Sequence, residues 1–202
     1  MEEWYKYTLA QLRRLVERSL VDVNEKDPGG GTILDTVVQR GGHREGHEDT
    51  EKLLAFVTWL IDEKGVNING NDDNTDYSPL DVACSPLVGL LLDRGANPRS
   101  LDFMGMTPLM AYVTRAEAAC VARLLEHAEG RATVNMQAHG GEDQGSTALH
   151  FVGDMCPYTH IKESQVHILE LLHGAGTDTT IIDSKGRTAQ ARLREEISER
   201  RV

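Results

Sequence analysis

Apolar residues recur along the chain in five blocks with helical spacing, separated by polar stretches that carry glycine. The blocks are Leu12, Leu15 and Val16; Val57, Leu60 and Ile61; Leu87, Val88, Leu90 and Leu91; Val121, Leu124 and Leu125; and Ile168, Leu169, Leu171 and Leu172. Each puts its large side chains on one face of a 3.6-residue period and predicts a helix that buries that face. Four of these helices meet a stop: Gly65-Val66-Asn67, Gly95-Ala96-Asn97, Ala128-Glu129-Gly130 and Gly176-Thr177-Asp178. Glycine leaves a helix most readily, because it accepts the left-handed backbone without steric cost.

A second pattern sits between the blocks. A hydroxyl residue followed by small or apolar residues recurs five times, as Thr32-Ile33-Leu34-Asp35, Ser78-Pro79-Leu80-Asp81, Thr107-Pro108-Leu109-Met110, Thr147-Ala148-Leu149-His150 and the degenerate Thr188-Ala189-Gln190-Ala191. Each phrase reads as a helix start. The hydroxyl can accept from the free N–H groups of the first turn. Pro79 and Pro108 fall at the first helical position, where a missing N–H costs nothing. Asp35 and Asp81 lie three residues after the cap, where an acid meets the positive end of the helix dipole. Twelve positions separate Leu20 from Thr32, Gly95 from Thr107 and Gly176 from Thr188, and thirteen separate Gly65 from Ser78. A connector of fixed length predicts a defined turn.

A repeated helix pair joined by constant turns resembles the ankyrin repeat, whose pattern is a Thr-Pro-Leu-His-like start, a Leu-Leu run, a Gly-Ala-Asp stop and a β-turn finger, with a period of about 33 residues. Gly95-Ala96-Asn97 through Gly105-Met106-Thr107-Pro108-Leu109 carries the resemblance best, followed by Thr147-Ala148-Leu149-His150 with Leu171-Leu172. The resemblance covers nearly the whole chain. It implies an all-α solenoid of stacked helix-turn-helix units with β-turn or hairpin fingers, with about four complete repeats and partial caps. The expected layout is a single domain over 1–202: a partial N-terminal repeat at 1–27, repeats at 28–73, 74–102, 103–142 and 143–183, and a C-terminal cap at 184–202.

The repeat is uneven. Excess residues Gly41 to Asp49 and Gly153 to Glu163 fall between the two helices of their repeats. Ser85-Pro86 marks a tight helix-to-helix turn, and the connector from Ala128 to Thr147 carries extra residues including Gly140-Gly141-Glu142. Solenoids absorb such changes in loops. The ends are polar, as terminal repeats facing water must be.

Composition narrows the partners. The net charge of −11 disfavours nucleic acid and anionic membrane. Gly41 to Leu80 holds nine Asp or Glu against three Lys or Arg, so a partner with a basic surface could be steered there, or the acids simply solvate the surface. No apolar run reaches membrane-spanning length, and the first residues do not read as a secretory signal. Cys84 and Cys120 read as buried core filler, with Cys156 in an insertion, so no disulfide framework is expected. A cytoplasmic or nuclear location follows as the expectation.

Candidate chemistry is thin. His43 and His47 have metal-ligand spacing beside Glu45, Glu48 and Asp49, but Gly41, Gly42 and Gly46 argue for a loop, and no further ligands are evident. Asn69 to Asp76 is rich in oxygen donors but lacks the glycine and glutamate of a calcium loop, and reads as a polar turn. No nucleophile elbow, phosphate loop, dinucleotide fingerprint or metalloprotease motif is present. The expectation is no enzyme, no cofactor and no metal. The resemblance gives His150 a structural role, hydrogen-bonding neighbouring loops.

The resemblance also implies a protein-interaction module that grips a protein partner by its finger tips and the first helix of each pair, acting as a monomeric adaptor or scaffold. Its variable contact positions fall on Phe103, Met104 and Met106, then Thr114 and Arg115, in the repeat starting near Asp102. In the preceding repeat they fall on Asn74, Thr75 and Tyr77, then Ser85 and Pro86. In the following one they are Asp143, Gln144 and Ser146, then Asp154 and Met155. In the first repeat they are Pro28, Gly29 and Gly31, then Gln39 and Arg40. Phe103, Met104 and Met106 stand out, because a turn tip is normally polar and aromatic or Met side chains concentrate at interface centres. Two of them, Phe103 and Met106, could instead fold back as core. The other readings are an obligate or self-assembling subunit, and a metal-responsive module using His43 and His47.

Overall fold

The computed structural model describes residues 3–28, 31–40, 50–70, 77–154 and 163–199. The chain divides into two compact units, Met1–Asn97 and Pro98–Val202, a boundary that falls inside the expected 74–102 repeat. The described residues are helical with turns, and their one β-bridge joins Ile182 to Thr188. The insertion 41–49 with His43 and His47, the finger residues Asn74 and Thr75, and Met155 and Cys156 lie outside the described residues.

The first unit contains a 3-10 turn at Trp4–Lys6 and helices α1 (Leu9–Glu17), α2 (Ile33–Arg40), α3 (Thr50–Lys64), α4 (Pro79–Val82) and α5 (Ser85–Asp93). They pack as two rows. The 3-10 turn, α2 and α4 follow one another in one row, α1, α3 and α5 follow one another in the second, and α2 also packs on α3. Of the predicted faces, Leu12, Val16, Val57, Leu60, Leu87, Val88 and Leu91 are buried, whereas Leu15, Ile61 and Leu90 are half-buried; Ile33, Leu34, Val37, Val38, Leu53 and Phe56 are buried as well. Burying a side chain of this size contributes about 1.5–3 kcal/mol. The first residues of this unit are held by groups that helical periodicity does not single out. Trp4 is 1% exposed; its backbone N–H donates to Asp27 Oδ2 (2.8 Å), and its carbonyl accepts from Arg40 (3.0 Å). Trp59 is buried with the Arg13 guanidinium 4.7 Å and the Lys64 ammonium 5.1 Å from its ring centroid.

The second unit contains α6 (Pro108–Thr114), α7 (Ala118–Glu126), α8 (Ala128–Arg131), α9 (Ala148–Asp154), α10 (Glu163–Gly174) and α11 (Ala189–Glu199). Here α6, α9 and α11 form one row and α7 and α10 the other, with α6 on α7 and α9 on α10. Every residue from Pro108 to Val113 is buried.

The repeated phrase is a set of helix caps. Thr32 N–H donates to Asp35 Oδ2 (2.8 Å), and Asp35 N–H returns to Thr32 Oγ1 (3.2 Å). Ser78 donates to Asp81 Oδ2 from both its N–H and its hydroxyl (2.7 Å each). At Thr107 the third residue is Met110, whose N–H reaches Thr107 Oγ1 (3.4 Å). The Thr188 cap keeps only the forward bond, from Ala191 N–H (3.3 Å), because alanine has nothing to return. In the Thr147 phrase the returning group is His150. Thr147 N–H can only donate, so Nδ1 (3.1 Å) is the acceptor, and the ring proton sits on Nε2, 3.1 Å from the Arg187 carbonyl. His150 thus joins its own cap to the next turn, as the resemblance implied.

Three details differ from the sequence reading. Ala128-Glu129-Gly130 is not a stop but part of α8; Gly130 is there because a Cβ would lie 2.1 Å from the Leu124 carbonyl oxygen. The tight turn in the short repeat is Ala83-Cys84, and Ser85-Pro86 opens α5, where proline fits the first turn. Cys120 is buried as expected, but Cys84 is only half-buried at that turn. Two helix ends also use non-glycine residues in the left-handed region, Ser19 (φ 52°) and Ala116 (φ 60°).

Consecutive turns in the second unit meet through their backbones. The Gly105 carbonyl accepts from His139 N–H and the Gln144 carbonyl from Ser184 N–H, both at 2.9 Å. A Cβ on Gly105 (φ 74°) would lie 2.7 Å from His139 C, and one on Gly145 (φ 82°) 2.9 Å from Ser184 N. Both glycines are therefore required twice, by dihedral and by space. Gly105→Ala and Gly145→Ala should each destabilise the protein by about 2–3 kcal/mol in urea unfolding, whereas Gly141→Ala, left-handed but in open space, should cost about 1 kcal/mol. Equal costs at all three would show that the backbone contact contributes nothing.

His150 generates a pH dependence. Burial pushes its pKa below the ordinary value near 6.5, only partly offset by the Arg187 carbonyl and the Asp183 charge. The unfolded chain therefore takes up the proton first as pH falls. The contribution of neutral His150 is complete above about pH 6.5 and is lost as pH drops through the lower folded-state value. The unfolding midpoint should fall with acidification over that range, and His150→Asn should flatten that part of the profile.

Candidate functional site

Three turns of the second unit share one construction and form the fingers of the repeats: 102–107, 138–147 and 183–188. Each is closed by the same backbone bond, from Asp102 N–H to the Met106 carbonyl (2.9 Å), Ala138 N–H to Ser146 (2.8 Å) and Asp183 N–H to Arg187 (2.9 Å). In the first finger, Asp102 Oδ1 also accepts from Met104 N–H and Met106 N–H, both at 2.9 Å. The third repeats this at Asp183, whose Oδ1 accepts from Lys185 and Arg187 N–H. Burial pushes the Asp183 carboxyl up, but the Arg187 guanidinium and these N–H groups outweigh it and hold the group below its ordinary range.

The middle finger has no such aspartate. It is four residues longer between its closing positions, with a 3-10 turn at Gly141–Asp143. Its support comes from α11. Arg192, 8% exposed, reaches across to Ser146 Oγ (2.9 Å) and Asp143 Oδ1 (2.8 Å), with its guanidinium 5.5 Å from the Phe151 ring centroid.

The expected contact residues separate accordingly. Phe103 (59% exposed) and Met104 (44%) project from the tip of the first finger. Met106 does not: at 7% exposed it is core, because the closing bond turns its side chain inward. Thr114 and Arg115 are exposed at the end of α6. Thr114 Oγ1 donates to the Met110 carbonyl (2.9 Å), and Arg115 pairs with Glu117 (2.9 Å) and lies 5.1 Å from the Tyr112 ring centroid. Gln144 is exposed, Asp143 is half-buried on Arg192, and Ser146 is fully buried. Tyr77, 44% exposed, belongs to the first unit, where Gln39 is exposed, Arg40 is committed to Trp4 and Pro86 is exposed on α5. Asn74 lies outside the described residues.

A further set of polar residues went unrecognised. Asn67 N–H donates to Asn24 Oδ1 (2.6 Å), Asn97 N–H to Asn69 Oδ1 (2.8 Å) and Asp178 N–H to Asn135 Oδ1 (2.8 Å). In each case an asparagine just beyond one helix pair accepts from the turn that ends a later one. The signal available was an asparagine after an apolar residue in Val23-Asn24, Ile68-Asn69 and Val134-Asn135.

Among the described residues no three metal-ligating side chains cluster, and no helix is long and apolar enough to cross a membrane. No protein-family model and no curated protein matches the sequence. The fold is matched by a solved structure: the crystal structure of EF0377, an ankyrin repeat protein, superimposes with a TM-score of 0.72 at 23% identity, covering 97% of this chain and 92% of that one. This chain has the ankyrin-repeat fold.

Arg192 on α11 supports the finger that lacks the aspartate, by donating to Ser146 and Asp143. Arg192→Met should lower stability by about 2 kcal/mol in urea unfolding, since Ser146 Oγ and Asp143 lose a charged donor, with Arg192→Lys intermediate. A neutral Arg192→Met would mean the middle finger holds its shape unaided.

Proposed function

We propose that this ankyrin-repeat chain is a non-catalytic interaction module that binds a protein partner through its finger tips, with Phe103 and Met104 as the anchors. The ankyrin-repeat fold is in general a non-catalytic interaction scaffold. One observation carries the reading: the first finger of the second unit buries Asp102 and Met106 yet presents Phe103 and Met104 to solvent. Exposing two large apolar groups gains nothing for folding, and aromatic anchors on well-held backbone contribute most where they enter a partner's pocket. Thr114, Arg115 and Gln144 are the flanking contacts in this reading, and Asp143 presents only the part of its carboxylate that Arg192 leaves exposed. Tyr77 and Asn74 are contacts of the first unit. The excess of acids favours a partner with a basic surface.

The test is capture of a partner from native extract, followed by titration of the recovered protein. Phe103→Ala with Met104→Ala should weaken binding at least about ten-fold while shifting unfolding free energy by less than about 0.5 kcal/mol. A large drop in the unfolding midpoint would place these residues in the structure instead.

A further inference from the structure

The finger aspartates offer an internal comparison. In each, one carboxylate oxygen closes the turn: Asp27 Oδ1 on Gly31 N–H (3.2 Å), Asp102 Oδ1 on Met104 and Met106, and Asp183 Oδ1 on Lys185 and Arg187. The second oxygen is taken in two of the three. Asp27 Oδ2 accepts from Trp4 N–H (2.8 Å), and Asp183 Oδ2 accepts from Arg187 Nε (2.9 Å) and its terminal nitrogen (2.7 Å). Asp102 is 4% exposed, and its Oδ2 has no hydrogen-bond partner among the described residues. Leaving such an oxygen buried and unpaired is costly. Met106 stands where the third finger has Arg187, and no neighbouring N–H among the described residues takes the place that Trp4 takes on Asp27.

We infer that the first finger of the second unit is a receptor for an arginine side chain of the partner, whose guanidinium takes the place on Asp102 that Arg187 takes on Asp183. This rests on the proposed interaction role and specifies its chemistry. The guanidinium matches a carboxylate in shape and offers paired donors, as the third finger displays. Phe103, the next residue in the chain, is exposed, and guanidinium groups already lie over Tyr112 and Phe151 in this unit. Charge agrees: residues 102–107 and 138–147 hold Asp102, Glu142 and Asp143 and no Lys or Arg, and Arg192 pairs with Asp143. Entry requires the Met106 side chain to swing aside, which an unbranched thioether with three rotatable bonds permits. The occupant is therefore a short segment with an arginine next to apolar residues.

The test is selection of a random peptide library on the intact protein, followed by titration of the selected peptides. The expected result is an arginine at one fixed position. Replacing it by leucine should weaken binding at least about ten-fold on the wild-type protein and hardly at all on Asp102→Asn, which keeps the turn-closing oxygen. Met106→Arg should supply the guanidinium internally, abolish selection of these peptides and raise the melting temperature. Selected peptides without a fixed arginine, no selection at all, or undiminished binding to Met106→Arg would overturn the inference. If partner capture still depends on Phe103 and Met104 in that event, the interaction role stands and only the arginine site is lost.

Discussion

The structure depends on how its turns satisfy their backbone. With one isolated β-bridge among the described residues and helices as short as four residues, the connectors cannot share their N–H and carbonyl groups with a sheet. They satisfy one another across repeats. In the second unit the Gly105 and Gln144 carbonyls take N–H groups from later fingers, and in both units an asparagine takes one from a later helix stop. Each bond contributes only about 0.5–1.5 kcal/mol net, but an unmet buried group costs about 1–3 kcal/mol. The apolar faces can pack in rows only in registers where these bonds close. Hydrophobic burial supplies most of the free energy, and the turns choose which arrangement receives it.

That division explains what may vary. The α4 helix shrinks to four residues and still stacks on α2, because Ser78 and Asp81 preserve its cap. The middle finger of the second unit lengthens by four residues and keeps its closing bond from Ala138 to Ser146, with Arg192 donating to Ser146 and Asp143. Changes that leave the links intact are absorbed in a helix's length or a finger's tip.

What could be read from the sequence follows the same line. The caps and Leu-rich faces are local, decided by residues three or four apart; the caps form where the phrases placed them, and each face buries most of its predicted residues, with Leu15, Ile61, Leu90, Leu169 and Leu171 half-buried at its edges. The asparagine links span 43, 28 and 43 positions, so no window of sequence pairs them. Trp4 and Arg192 are invisible for a related reason: their partners Asp27 and Ser146 are far along the chain. Met106 was misplaced because finger side chains follow no simple period; the turn sends Phe103 and Met104 outward and Met106 in. Ala128-Glu129-Gly130 misled because glycine has two uses, and there it makes room for a carbonyl instead of turning the chain.

The placement of Phe103 and Met104 gains its meaning from the rigidity beneath them. Binding loses affinity to whatever it must order, and loops are usually expensive in that respect. This tip is already ordered. Asp102 Oδ1 fixes two successive N–H groups, Asp102 N–H closes the turn on Met106, and the Gly105 carbonyl is tied to His139. In the proposed binding role, little backbone freedom would be left to lose, so burying the two side chains would be returned largely as affinity. The third finger has the same closing bond and Oδ1 contacts but a polar tip, Ser184-Lys185. The two fingers share the closing bond and the Oδ1 contacts and differ at the tip and at the second carboxylate oxygen, which Arg187 takes on Asp183 and nothing among the described residues takes on Asp102; the shared part maintains the turn, and the differing part is where the proposed recognition would lie.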